Sequence, residues 1–124
     1  MNSEYPIIVN LNFAVLEIYD DLIISSVNEG IVFDSPELAQ FHSVFDTYFK
    51  GKRFGFISNR KNDYTVTPTA FINVTKNNDL KGVAILCHSE ASHDNSLFVK
   101  KFYSKPYKPF YTLEECKEWL KTLK

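Results

Sequence analysis

The sequence is poor in the residues that small scaffolds use in place of a core. It has two cysteines in 124 residues, Cys87 and Cys116. They stand far apart and form no Cys-x-x-Cys pair, so neither a multi-disulfide secreted framework nor a thiolate metal site is expected. The four glycines fall in no phosphate-cradling string. No apolar run is long enough to cross a bilayer: the stretch from Tyr5 to Tyr19 is broken by Asn10, Asn12 and Glu17, and no basic segment precedes it. The expectation is no signal peptide, no transmembrane segment and a cytoplasmic address. Repeats, low-complexity tracts and Pro/Gly-rich linkers are also missing, so residues 1–124 are expected to form a single domain. No carboxylate pair or catalytic triad is visible, which argues against an enzyme.

What is present is material for a core. Hydrophobic residues make up 44% of the chain and charged residues 23%, a globular balance that excludes disorder. Aromatics reach 15%, almost all Phe and Tyr. They fit a Phe-rich interior, or else an aromatic-lined pocket or partner surface. Charge is unevenly placed: eight acids and no Lys or Arg lie before Lys50, and all fourteen bases follow against seven acids. Pairing between the two halves would cancel this; without it the molecule has an acidic and a basic end, compatible with a homodimer.

Residues 13–19 read as a strand, Asp20-Asp21 as a turn and residues 22–28 as the hairpin partner. The period then changes. Ser35-Pro36-Glu37 reads as a helix start with Ser35 as cap, and Leu38, Phe41, Phe45, Tyr48 and Phe49 make an apolar stripe ending at Gly51. Residues 54–58 form a short strand, 59–67 a polar loop, and Thr67-Pro68 opens a helix with Phe71, Val74 and Thr75 inward. The near-continuous apolar run 82–87 reads as a central strand covered on both faces. Ser92 is placed as the cap of a helix carrying Leu97, Phe98 and Phe102. Pro106 and Pro109 bracket an edge strand, and Thr112-Leu113-Glu114-Glu115 is a capping box for a last helix with Leu113, Cys116, Leu120 and Leu123 on one side and Trp119 beside them. The expected class is α/β, a mixed central sheet in the order β-β-α-β-α-β-α-β-α.

That order, together with Tyr-Asp-Asp-Leu-Ile-Ile at 19–24, Tyr-Phe-Lys-Gly-Lys-Arg-Phe-Gly-Phe-Ile-Ser-Asn-Arg at 48–60, Asp-Tyr-Thr-Val-Thr-Pro at 63–68 and Leu-Glu-Glu-Cys-Lys-Glu-Trp-Leu at 113–120, resembles the STAS family. The likeness is to its small bacterial SpoIIAA-like branch, related in shape to SEC14 lipid-transfer domains. It covers Phe13 to Leu123. It implies a SpoIIAA-like fold and a regulatory, protein-interaction role. Antagonist members carry an Asp-Ser pair after the third strand, whose Ser is phosphorylated by a partner kinase. Here that place holds Asp63-Tyr64-Thr65 and Thr67, a departure that weakens the implied switch.

The candidate sites follow. Asn59, Arg60, Lys61, Asp63, Tyr64, Thr65 and Thr67 form the partner-binding loop, where a phosphate on Thr65 or Thr67 would meet a helix N-terminus with Arg60 and Lys61 near, unless Thr67 simply caps that helix. His88, Glu90, His93 and Asp94 gather at the carboxyl end of the central strand, where α/β ligands bind, although their spacing matches no standard metal signature. Cys87 and His88 point to opposite faces of their strand and form no dyad. His42 is placed on the polar edge of its helix. Lys100, Lys101, Lys105 and Lys108, interleaved with Tyr103, Tyr107 and Tyr111, form a basic aromatic patch. The pI of about 6.3 argues against nucleic acid. The reading is a non-catalytic interaction module that needs no cofactor and binds a protein partner. The alternatives are a carrier or sensor of a small apolar ligand, and an enzyme using His88 and His93.

Overall fold

Tyr19 N–H donates to Leu22 O at 2.8 Å and closes the turn that Asp20-Asp21 specifies. The structure, a computed structural model, describes residues 5–67, 78–103 and 105–123. Strands β2 (Ala14–Ile18) and β3 (Leu22–Val27) flank this turn, and β1 (Ile7–Asn10) adds antiparallel outside β2. Strand β4 (Val32–Phe33) leads into α1 (Ser35–Phe49). Then come β5 (Phe54–Asn59), β6 (Thr65–Val66), β7 (Leu80–Leu86), α2 (Glu90–Val99) with a 3₁₀ turn at Lys100–Phe102, β8 (Tyr107–Phe110) and α3 (Leu113–Thr122).

Six strands form one mixed sheet in the order β1-β2-β3-β5-β7-β8, antiparallel through β3 and parallel thereafter. The expected mixed α/β class is what the chain forms. The expected order lacked three strands: β1, and the two-residue β4 and β6, which pair parallel in a small second sheet. The helix expected from Thr67-Pro68 lies outside the described residues. Pro109 does sit in an edge strand and Pro106 directly precedes it, since β8 closes one side of the sheet.

Side chains alternate across the strands and feed two cores. On the α1 side, Phe13, Phe33, Phe41, Phe45, Phe54 and Phe56 are buried with Ile23, Val83 and Ile85. Phe41 is the hub, with the rings of Phe33, Phe13 and Phe56 centred 4.9, 5.7 and 5.9 Å away. On the α3 side, Ile24, Ile57, Ala84 and Leu86 meet Cys116 and Leu120. A Cβ on Gly55 would stand 2.9 Å from Leu120 Cδ1, and one on Gly82 would collide with Leu123. These two glycines let α3 lie against the sheet.

Local signals were shifted by a residue or a turn in three places. Asp34, not Ser35, caps α1: Ser35 N–H donates to Asp34 Oδ1 at 2.7 Å, and Asp34 N–H donates to Glu37 Oε1 at 2.8 Å. The carboxylate is the better acceptor at the positive end of the dipole. Ser89, not Ser92, caps α2, with Ser92 N–H donating to its Oγ at 3.1 Å. That earlier start turns Ser96 and Val99 inward and leaves Leu97 and Phe98 exposed. In α1 the stripe uses Val44 in place of Tyr48, which is exposed. Thr112 caps α3 as expected, accepting from Glu115 N–H at 3.2 Å. Pairing between the acidic and basic halves is seen at Lys52–Asp20, 2.7 Å. His42 is half-buried rather than solvated: burial lowers its pKa, and its Nε2 has no hydrogen-bond partner among the described residues.

Candidate functional site

Because β3, β5, β7 and β8 run parallel, their carboxyl ends open on one edge, the place where crossover sheets leave a crevice. The segment 59–67 lies across that edge, and it is not a free loop. Gly30 N–H donates to Asp63 O, Thr65 N–H to Ile31 O and Thr67 N–H to Phe33 O, each at 2.9 Å. Arg60 N–H donates to Leu86 O at 3.0 Å, and Asn62 Nδ2 donates to Val27 O at 3.1 Å. The β4–β6 pairing thus satisfies the backbone donors that a polar loop would leave to water.

Arg60, the residue after β5, is held from that strand. Its Nε donates to Ser58 Oγ at 2.8 Å, its guanidinium lies 5.0 Å from the centre of the Tyr64 ring, and Ser58 Oγ is 3.3 Å from the Tyr64 hydroxyl. These partners are all neutral, and no carboxylate among the described residues pairs with Arg60. Inward of Arg60 lies a cavity of about 40 Å³ walled by Phe33, Leu38, Phe41, Phe56, Val83 and Ile85, with Ser25 and Ser58 among its few polar groups. Outward lies a groove of about 460 Å³ between the 59–67 segment and the first turns of α2. Asp63, Thr65, Ser89, Ser92 and Asn95 line the groove. Arg60, Tyr64 and Val66 belong to both spaces and separate them.

Two further tyrosines sit beside this group. Tyr103, which lines the cavity, and Tyr107 of β8 pack with ring centres 4.4 Å apart. Burial pushes both phenols up, and the Arg60 guanidinium acts on each in the opposite direction. Tyr107 is 2% exposed, and its hydroxyl makes no hydrogen bond among the described residues. An unpaired buried hydroxyl is costly, so its presence here calls for a partner.

Of the residues singled out from sequence, Arg60, Asp63, Tyr64 and Thr65 meet in the groove, while Lys61 is exposed and does not line it. Thr65 lies in β6 and presents an exposed side chain. Asn59 is engaged elsewhere, its Oδ1 2.7 Å from His88 Nε2. The set His88, Glu90, His93 and Asp94 does not converge. His93 Nδ1 lies 3.9 Å from Asp94 Oδ1 and its ring stacks on Tyr111 at 5.2 Å, whereas His88 turns to Asn59. Among the described residues no three His, Cys, Asp or Glu side chains stand close enough to hold a metal ion. Cys87 is buried but stands just past β7, which ends at Leu86 rather than running to residue 87.

Ser25 and Ser58 were not among the residues singled out from sequence, and Tyr103 and Tyr107 were placed in a basic aromatic patch rather than beside Arg60. The serines carried a signal, since they interrupt the apolar strands Leu22–Val27 and Phe54–Asn59 and would be buried there. Tyr107 carried none, because a tyrosine between prolines reads as an edge residue.

No protein-family model and no curated protein matches the chain. Among solved structures, the chain is similar to the crystal structure of an uncharacterised DUF3478-family protein with a SpoIIAA-like fold from Shewanella loihica PV-4. The two share 16% identity over 90% of this chain and 97% of that one, with a TM-score of 0.64. The chain has a SpoIIAA-like fold. At that identity the likeness speaks for the SpoIIAA-like architecture alone. No helix among the described residues is long and apolar enough to cross a membrane.

Proposed function

We propose that this protein is a non-catalytic regulatory module that senses or carries a small ligand through the groove and cavity around Arg60. The observation that carries this reading is the continuity of an apolar cavity with a polar groove across Arg60 and Tyr64, at the strand ends where crossover folds bind ligands. A catalytic reading finds less support: the titratable groups at this edge do not form a nucleophile–base pair. Native mass spectrometry of freshly purified protein tests the proposal. The expected result is a co-purifying small molecule, reduced in a Val66→Trp variant that fills the boundary between cavity and groove. Uniformly empty protein, with no stabilisation by any small-molecule pool extracted from the host, overturns it.

A protein partner is the second reading, favoured by exposed Leu97 and Phe98 on α2, 46% and 52% accessible, with Phe98 also lining the groove. Here a stoichiometric partner would be retained by a Lys117→Glu variant on the opposite face and lost with Phe98→Asp.

A further inference from the structure

We propose that the ligand of this site is a small organic acid, a monocarboxylate whose anion pairs with Arg60 at the floor of the groove and whose short aliphatic part enters the cavity behind it. This rests on the small-ligand reading above and names the chemistry that reading leaves open.

The charge comes first. A guanidinium carries five N–H donors and never loses its proton at physiological pH. Partly burying it is costly unless an anion compensates. Arg60 spends its Nε on Ser58 and lays its plane by Tyr64, but its terminal nitrogens make no hydrogen bond among the described residues. Those two contacts fix the fork and leave it open, which is how a bidentate carboxylate receptor is preorganised.

The shape comes next. The cavity of about 40 Å³ has room for roughly three water-sized groups. Its walls of Phe, Leu, Val and Ile give water too few partners there, so a short alkyl chain is the better filling. The sign and valence of the head group are limited as well. Asp63 lines the same groove, and its carboxylate disfavours a dianion such as a phosphate monoester more than a monoanion.

Isothermal titration of the full chain with butanoate and hexanoate, against butan-1-ol, hexan-1-ol and a hexyl phosphate, tests this. The acids are expected to bind, with the alcohols and hexyl phosphate each at least about tenfold weaker, the worth of one charge-assisted hydrogen bond. Arg60→Met should weaken hexanoate about tenfold or more and leave hexan-1-ol unchanged. Should Arg60→Met fail to fold, Arg60→Lys keeps the charge without the fork and should still lose severalfold for hexanoate alone. Equal binding of acid and alcohol, or full affinity in the Arg60 variants, overturns the anionic head group and leaves the apolar-ligand reading standing. Tighter binding of hexyl phosphate overturns the monocarboxylate. Failure of both acids and alcohols to bind overturns this proposal and the small-ligand reading together.

Discussion

The two faces of the sheet are packed on different plans. The α3 face is close-packed at its centre, with a cleft of about 220 Å³ beside Tyr19 and Lys117 at its edge: small and aliphatic side chains from β3, β5 and β7 meet Cys116 and Leu120, and Gly55 and Gly82 bring the helix close enough that an added methyl would have to displace a leucine side chain. The α1 face is built of large rings, some edge-on or tilted and others stacked, and a cavity of about 40 Å³ lies among them. Two buried serines and a tyrosine hydroxyl without a partner lie on this side as well. One face stabilises the sheet, and the other gives up density where the candidate site lies.

The contrast is tested first at Phe45, a buried ring that also lines the cavity. Phe45 is 1% exposed and packs against Phe54 and Phe56 with ring centres 5.1 and 5.8 Å away. Phe45→Ala should cost about 3–5 kcal/mol in urea unfolding, the largest effect expected here. A much smaller loss would mean that the rings on this side collapse freely and that the cavity is not held open. Next in size is Gly55→Ala, which brings a methyl to 2.9 Å from a Leu120 that is itself 2% exposed. A cost of about 1–3 kcal/mol is expected from overpacking. A neutral result in the same assay would show that α3 rides over the sheet with slack, and the contrast between the faces would fall.

How much of this was legible in the sequence depended on length and period. The β2–β3 hairpin, α1, β5, β7 and α3 each carry enough residues for an alternation or an apolar stripe to show, and they lie where the pattern put them. Strand β1 was missed because Ile7-Ile8-Val9 has no alternation, and Leu11-Asn12 gives no tight-turn signature before β2. Strands β4 and β6 hold two residues each, too few for any period; they exist only because backbones some thirty residues apart come together. Choosing between Ser89 and Ser92 needed the end of β7, which fixes where α2 can begin. For the site, Arg60 and Tyr64 were readable as polar residues after a strand. Their relation to Tyr107 was not, since only the β7–β8 pairing brings that residue alongside.

A third effect separates α1 itself from the rest of its face. Burial lowers the pKa of His42, with Asp46 one turn on pulling the other way. The folded state therefore favours the neutral ring, and stability present above the unfolded pKa, near 6.5, is lost as pH falls through it toward the lower folded value. His42→Gln should flatten the fall in melting temperature between about pH 7 and pH 5. An unchanged slope would assign that fall to other groups.

The smallest effect is the most informative about the cavity. Val83 is 2% exposed and walls the space behind Arg60, so Val83→Ile adds one methyl to the side of the sheet that has room for it. The same carbon count that costs stability at Gly55 should here be neutral or stabilising, by up to about 1 kcal/mol of extra apolar burial. It should also shorten the space left for an aliphatic chain, so hexanoate should lose more affinity than butanoate while the fold melts no earlier. Stability and longer-chain binding would then move in opposite directions through one buried methyl. If Val83→Ile instead destabilises as Gly55→Ala does, both faces are equally full, and the gap between the rings is not space that a ligand can use.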